Sequence, residues 1–140
     1  GDATPWQAIG HASASDPHHS ACLDVSAHHA APGTLLQAVQ SAATRFATRH
    51  TQQASLTLLL PAETPTDWPA AGDHAAARML VSTLACEWGS RALRINALVV
   101  LADVTPLALH PLLRYVCGAS AQFLTGQTIA CGRPRFGATA

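Results

Sequence analysis

Two periods of apolar residues alternate along the chain. Leu35, Val39, Ala42 and Phe46 recur every three or four residues, the spacing of one helix face. Thr34 stands in front as a candidate N-cap. Arg45, Arg49 and His50 suit the far end, where cations complement the helix dipole. The spacing predicts a helix over 35–50. Residues 54–60, ASLTLLL, form a short and almost continuous apolar run, as expected of a strand covered on both faces of a parallel sheet.

Pro61, Pro65 and Pro69 then mark a loop, and a second helix is predicted over 72–88, stopping at Gly89. Residues 93–101, LRINALVVL, read as another buried strand. Pro106 falls in a short loop, and Pro111 can occupy the first turn of a third helix over 111–123. Thr125 and Gly126 turn the chain into a last strand, 127–131. Upstream, 21–27 can be a short strand and 28–33 a loop broken by Pro32–Gly33.

Four strands thus alternate with three helices, and each crossover is long enough to join parallel strands. This predicts an α/β fold, a parallel sheet of about four strands with helices on its faces. Residues 1–20 are polar and broken by Pro5, Gly10 and Pro17, an irregular arm; 21–132 form one domain; 133–140 are a tail. The sequence shows no internal repeat.

Composition narrows the function classes. The 140 residues are 49% hydrophobic and 11% charged, with a formal net charge of zero. That pattern disfavours a nucleic-acid binder, which carries a basic face, and disorder, which needs low hydrophobicity and high charge. It also leaves apolar surface for a partner. The cations Arg45, Arg49, Arg78, Arg91, Arg94, Arg114, Arg133 and Arg135 are all arginine; the sequence has no lysine. Cys22, Cys86, Cys117 and Cys131 are far apart and read as small buried hydrophobes in a reducing compartment. No apolar run reaches the roughly 20 residues of a membrane span. The N-terminus shows no basic region followed by an apolar segment, so a cytoplasmic protein without signal peptide is expected.

Residues 79–100, MLVSTLACEWGSRALRINALVV, carry a resemblance. Thr83, Leu84, Ala85 and Glu87, followed by Arg94, Ile95, Asn96 and Ala97, are similar to the Ser-Leu-Ala-x-Glu and Arg-Val-Asn-Ala segments of the short-chain dehydrogenase/reductases. Phe123, Leu124, Thr125, Gly126, Gln127, Thr128 and Ile129, ending in Cys131–Gly132, resemble that family's Phe-Leu and Thr-Gly segments before an apolar strand. The two matches lie in the family's order and span roughly residues 70–132. The resemblance implies a Rossmann-like sheet, here without the N-terminal half that binds the dinucleotide.

Measured against that family, the chemistry is missing. No Gly-x-x-x-Gly-x-Gly turn occurs, so no cofactor is expected. The family uses a Tyr as proton donor and a Lys one helical turn later, which lowers the Tyr pKa and holds the ribose. Counting back from Glu87 places Ala70 and His74 there, and the one tyrosine, Tyr115, falls in another helix. Pro61, Ala62 and Glu63 stand where the family's catalytic Ser would follow its strand. Val100–Leu101 replace a Pro-Gly, and the substrate lid shrinks to 102–110. Histidine as a residue type suits proton transfer, but at position 74 it would lack a proton relay and a nicotinamide. A solvated or capping role near the helix start is expected instead. His18–His19 and His28–His29, with His11 and Asp16, could in principle bind zinc; surface loop histidines are the expectation. No Gly-x-Ser-x-Gly elbow marks a nucleophile.

The predicted helix over 72–88 has two uncharged rows. Ala77, Leu80, Val81, Leu84 and Trp88 can cover the sheet, while Ala75, Met79, Ser82 and Cys86 form a second row of small or adaptable residues. Helix 35–50 adds Leu36, Ala43 and Ala47. Either both rows are buried within the chain, or the second meets a partner. The resemblance favours the partner, since family members commonly dimerise by packing these two helices into a four-helix bundle. The expectation is a non-catalytic subunit that forms a homodimer or pairs with an intact short-chain dehydrogenase. The alternative is an NAD(P)-dependent oxidoreductase of the 3-oxoacyl reductase type, completed by a partner.

Overall fold

The computed structural model describes residues 22–63 and 66–132. The arm over 1–20, with His11, Asp16, His18 and His19, and the tail over 133–140 lie outside the described residues. Four strands, β1 (Cys22–Asp24), β2 (Ser55–Pro61), β3 (Arg94–Val100) and β4 (Thr128–Cys131), form one sheet in sequential order, with every neighbouring pair parallel. Helices α1 (Leu35–Arg49), α2 (Trp68–Trp88) and α3 (Pro106–Cys117) make the three crossovers.

The alternation along the strands sorts the layers. Leu56, Leu58, Leu60, Ile95 and Ala97 face α1 and α2, packing with Val39, Phe46, Val81 and Trp88. Leu59, Leu98 and Val100 point the other way, onto Leu109, Leu113 and Val116 of α3. β2 is therefore buried on both faces, as its unbroken apolar run requires. Each of its leucines, withdrawn from water, contributes about 1.5–3 kcal/mol. The α1 stripe Leu35, Val39, Ala42 and Phe46 is buried as its spacing predicts.

Several predicted boundaries are corrected by local chemistry. β1 ends at Asp24 rather than running to 27, because the Asp24 carboxylate accepts from the Ser26 amide and hydroxyl. Ser26–His29 then coil into a 3-10 turn instead of an open loop. The Thr34 hydroxyl does not cap α1; it donates back to the Ala31 carbonyl. The cap comes from α2. Asp73 Oδ2 accepts from the Leu35 amide at 2.7 Å and Oδ1 from the Leu36 amide at 3.0 Å.

Helix α2 starts at Trp68, four residues earlier than predicted. Asp67 is its N-cap, accepting from the Ala70 amide at 3.1 Å, and Pro69 occupies the first turn, where its missing N–H costs nothing. Nor does Gly89 supply the left-handed stop. It stays right-handed (φ −57°), and Ala92 after a 3-10 turn carries the positive φ of 52°.

Helix α3 begins at Pro106, with the Thr105 hydroxyl accepting from the Ala108 amide. Pro111 consequently lies inside the helix, not in its first turn. The helix ends at Cys117 rather than 123, because Gly118 is extended there (ψ 172°). A Cβ at Gly118 would approach the Arg114 carbonyl to 2.7 Å.

Candidate functional site

The two segments that carry the resemblance bind each other. Asn96 on β3 is fully buried; its Nδ2 donates to the Leu124 carbonyl at 2.9 Å, and its Oδ1 accepts from the Gln127 amide at 3.1 Å. The Thr125 hydroxyl accepts from the Ile95 amide at 3.1 Å, and the Gly126 amide donates to the Ile95 carbonyl at 2.7 Å. Gly126 has φ +74°, and a Cβ there would approach the Ala85 Cβ of α2 to 3.0 Å. The Arg94 guanidinium donates to the Ala121 and Gly118 carbonyls, holding the segment between α3 and β4. Arg94, Asn96, Thr125 and Gly126 thus form a clamp that fixes β4 beside β3. Its polar groups are spent on backbone partners, so it does structural work.

Of the two residues that the resemblance sets against a Tyr and a Lys, Ala70 lies in the first turn of α2 and His74 one turn later. His74 is neither solvated nor a cap: only 3% of it is exposed. Its Nε2 lies 3.1 Å from the Pro61 carbonyl, so an Nε2–H donor ties α2 to the end of β2, and Nδ1 is buried without a partner. The imidazole is thus held by backbone, at the end of β2. Glu63 lies beside Arg78 instead (4.0 Å), and Tyr115 is exposed on α3. Among the described residues, no three His, Cys, Asp or Glu side chains come together as a metal site. His28 is half-buried and His29 exposed in the 3-10 turn, with their rings 5.0 Å apart.

No disulfide joins the four cysteines. Cys131 is buried, Cys22 and Cys117 are half-buried, and Cys86 is exposed, which corrects the expectation that all four are interior. Burial pushes the Cys117 and Cys131 thiols above their ordinary pKa, although a hydrogen bond to Thr57 partly offsets this at Cys117. Neither is a ready nucleophile.

The surviving candidate is the outer surface of α1 and α2. Ala77, Val81 and Trp88 are buried, and Leu80 and Leu84 lean on α1. Ala43 is 4% exposed, under the contact between the two helices, and Ala47 is half-buried beside it. With Gln40, Thr44, Leu80 and Leu84 they line a groove of about 370 Å³. Leu36 is exposed at the start of α1. Ala75, Met79, Ser82 and Cys86 are all exposed along α2, Met79 to 68%, so the described residues do not cover this row. The earlier start of α2 adds Trp68, 85% exposed, and Gly72 to the same side. The sequence carried a signal for them, an Asp followed by Pro two residues on, which the run of prolines masked.

No family model matches the chain, and neither does any curated protein. Solved structures do match its fold. BdcA (YjgI) from E. coli superposes with a TM-score of 0.65 at 16% identity, over 80% of this chain and 60% of that one. A Serratia marcescens short-chain dehydrogenase/reductase gives 0.57 at 16% identity, over 68% of this chain and 49% of the other. The angucycline C-6 ketoreductase LanV, with bound NADP, gives 0.58 at 10% identity, over 79% and 60%. The chain therefore has a short-chain-dehydrogenase-like fold and spans between half and three fifths of the length of these structures.

Proposed function

We propose that this chain is a non-catalytic subunit on the short-chain dehydrogenase fold, which assembles through the outer face of α1 and α2 and supports a partner instead of converting a substrate. The partner is a second copy or an intact reductase. One helix carries the reading. On α2, Ala70 and His74 stand where the fold's enzymes keep a Tyr and a Lys, and the outward side from Trp68 to Cys86 bears no charge on its exposed row. A helix apolar on both sides belongs in an interior, and here the second interior is an assembly. Binding of a nicotinamide cofactor by the chain is not part of this function. We assign the protein to the cytoplasm. Four cysteines without a disulfide suit a reducing compartment.

Two measurements test this. Calorimetric titration of the purified chain with NADH and NADPH should give no binding heat. Met79→Arg, which places a charge in the centre of the face, should dissociate the assembly seen by sedimentation and leave the circular dichroism spectrum unchanged. Cofactor binding by the chain, or an assembly indifferent to the arginine, would refute the reading. A second reading, an NAD(P)-dependent oxidoreductase of the 3-oxoacyl reductase type completed by a partner, draws support from LanV, which holds NADP. It requires NADPH binding that appears when chain and reductase partner are combined and exceeds what the partner binds alone.

A further inference from the structure

We infer that the cleft between β1 and the outer flank of α1 binds an apolar monocarboxylate, with its head group on Arg49 and His50 and its body along β1. The inference goes beyond the assembly reading and does not rest on it, since α2 contributes no residue to this cleft. β1 is an edge of the sheet. β2 flanks it on one side, and no strand of the described residues flanks the other. The last turns of α1 line that open side. Between them lies a space of about 660 Å³, within the roughly 300–1,000 Å³ of small-molecule sites. Residues 22–26 form one wall, and Ala42, Phe46 and Leu56 supply an apolar floor. The floor is stiff, because the Phe46 ring lies 4.7 Å from that of His50 and stacks on Trp88 at 5.4 Å.

Most polar groups around the cleft are already engaged. The Asp24 carboxylate accepts from Ser26 and from Arg45. The Thr44 and Thr48 hydroxyls donate to the Gln40 and Thr44 carbonyls. Arg91 spends its guanidinium on the carbonyls of Ala47, His50 and Thr51 that end α1. Two neighbouring groups stay available. No carboxylate of the described residues lies within ion-pair distance of Arg49. His50 is only 5% exposed, yet its ring nitrogens bond to no described residue. Those nitrogens are not sealed off, and the opening that His50 lines is this cleft. Burial, and then the Arg49 charge, hold the imidazole below its ordinary pKa, so at neutral pH it is uncharged and offers one N–H.

One guanidinium and one neutral donor thus stand at the end of an apolar trough. A carboxylate matches them. It carries one negative charge, and its planar pair of oxygens fits the guanidinium fork. A dianion would leave a charge uncompensated close to Asp24. A free inorganic anion would leave the floor of Ala42, Phe46 and Leu56 uncovered. A strand from another chain fits less well, because β1 offers only the three residues Cys22–Asp24, and so short an edge is a poor template for pairing. The ligand that uses both the floor and the donors is an acid with an apolar body.

Fluorescence titration of the purified chain with naphthoate tests this. Binding should be saturable. Naphthalenemethanol, which keeps the rings without the charge, and naphthylmethylamine, which reverses it, should each bind about tenfold more weakly or worse, as the loss of charge-assisted hydrogen bonds implies. Arg49→Gln should weaken naphthoate by about tenfold, leave the alcohol unchanged and keep the circular dichroism spectrum. His50→Phe preserves a ring against Phe46 and removes the N–H, so it should weaken naphthoate several-fold. Cys22 lines the cleft and Cys86 lies on α2 outside it, so saturating naphthoate should slow alkylation of Cys22 and not of Cys86, read by mass spectrometry. The inference is overturned by the absence of saturable binding at millimolar naphthoate, by an alcohol that binds as tightly as the acid, by an Arg49→Gln chain that binds like the native one, or by a Cys22 that stays unprotected. None of these results touches the assembly reading, which sedimentation of Met79→Arg decides.

Discussion

Replacing Asn96 with alanine removes both side-chain bonds that hold the turn before β4. The carbonyl of Leu124 loses its donor and the amide of Gln127 its acceptor. A buried polar group left unsatisfied costs about 1–3 kcal/mol, which for two would be about 2–6 kcal/mol. Gln127 is exposed and Leu124 half-buried, so water can reach part of the opened turn. The lower half of that range, about 2–4 kcal/mol, is therefore expected. Domains are stable by about 5–15 kcal/mol, so the variant should fold with a much reduced margin. With an m-value of about 1–3 kcal/mol per molar urea, the urea midpoint should fall by roughly 0.7–4 M at unchanged m. Asn96→Asp sharpens the test. It keeps the size and one acceptor oxygen but sets a carboxylate against the Leu124 carbonyl, which raises its folded pKa. Its deficit should be smallest below the usual carboxylate value of about 3.9, where a protonated acid can donate, and should grow as pH rises through the folded value. A midpoint for Asn96→Ala within error of the native chain would mean that the clamp holds nothing, and the structural account of these residues would fail.

Three further outcomes follow from the same contacts. Asp73→Ala uncaps α1 from a neighbouring helix and should cost about 1–2 kcal/mol, read as a lower urea midpoint, with Asp73→Asn losing less; no change would show that solvent replaces the cap. Burial raises the pKa of Asp24, but the Ser26 hydroxyl and amide and the Arg45 guanidinium (2.8 Å) outweigh it and hold the carboxyl below its ordinary value. Its stabilisation is thus present above about pH 3.9 and lost as pH falls through the folded value, so Asp24→Asn should flatten the acid limb of a plot of urea midpoint against pH. Finally, iodoacetamide followed by mass spectrometry should label Cys86 before Cys117 and Cys131, and assembly should protect it; equal rates at all three would contradict the burial.

Much of the architecture was legible in the sequence because it rests on short-range periodicity. The unbroken apolar run of β2 announced burial on two faces, and the α1 stripe announced one. The errors cluster at element ends, where a partner distant in sequence decides. Thr34 had the chemistry of a cap, yet Asp73, 38 residues away, reached α1 first. Gly89 had the freedom for a left-handed stop, yet Ala92 took it, as the chain entered β3 after a 3-10 turn. Both outcomes depend on where α2 lies against α1 and the sheet.

The candidate site divides in the same way. Residue identity alone gives an alanine at position 70 and no lysine anywhere in the sequence, and no packing changes either. It could not say where His74 points or that the Asn96 motif is a clamp, since both depend on carbonyls at Pro61 and Leu124 that the fold brings within bonding distance. Nor could it choose between the two rows of α2. Both are uncharged, and a helical repeat sets how residues are spaced around an axis without fixing which side meets the sheet. The sequence determined an α/β order of elements and a chain without lysine. The tertiary structure decided which apolar row is spent on the core and which, with Met79 at its centre, stays exposed among the described residues, because burial belongs to the packed layers and not to the helix alone.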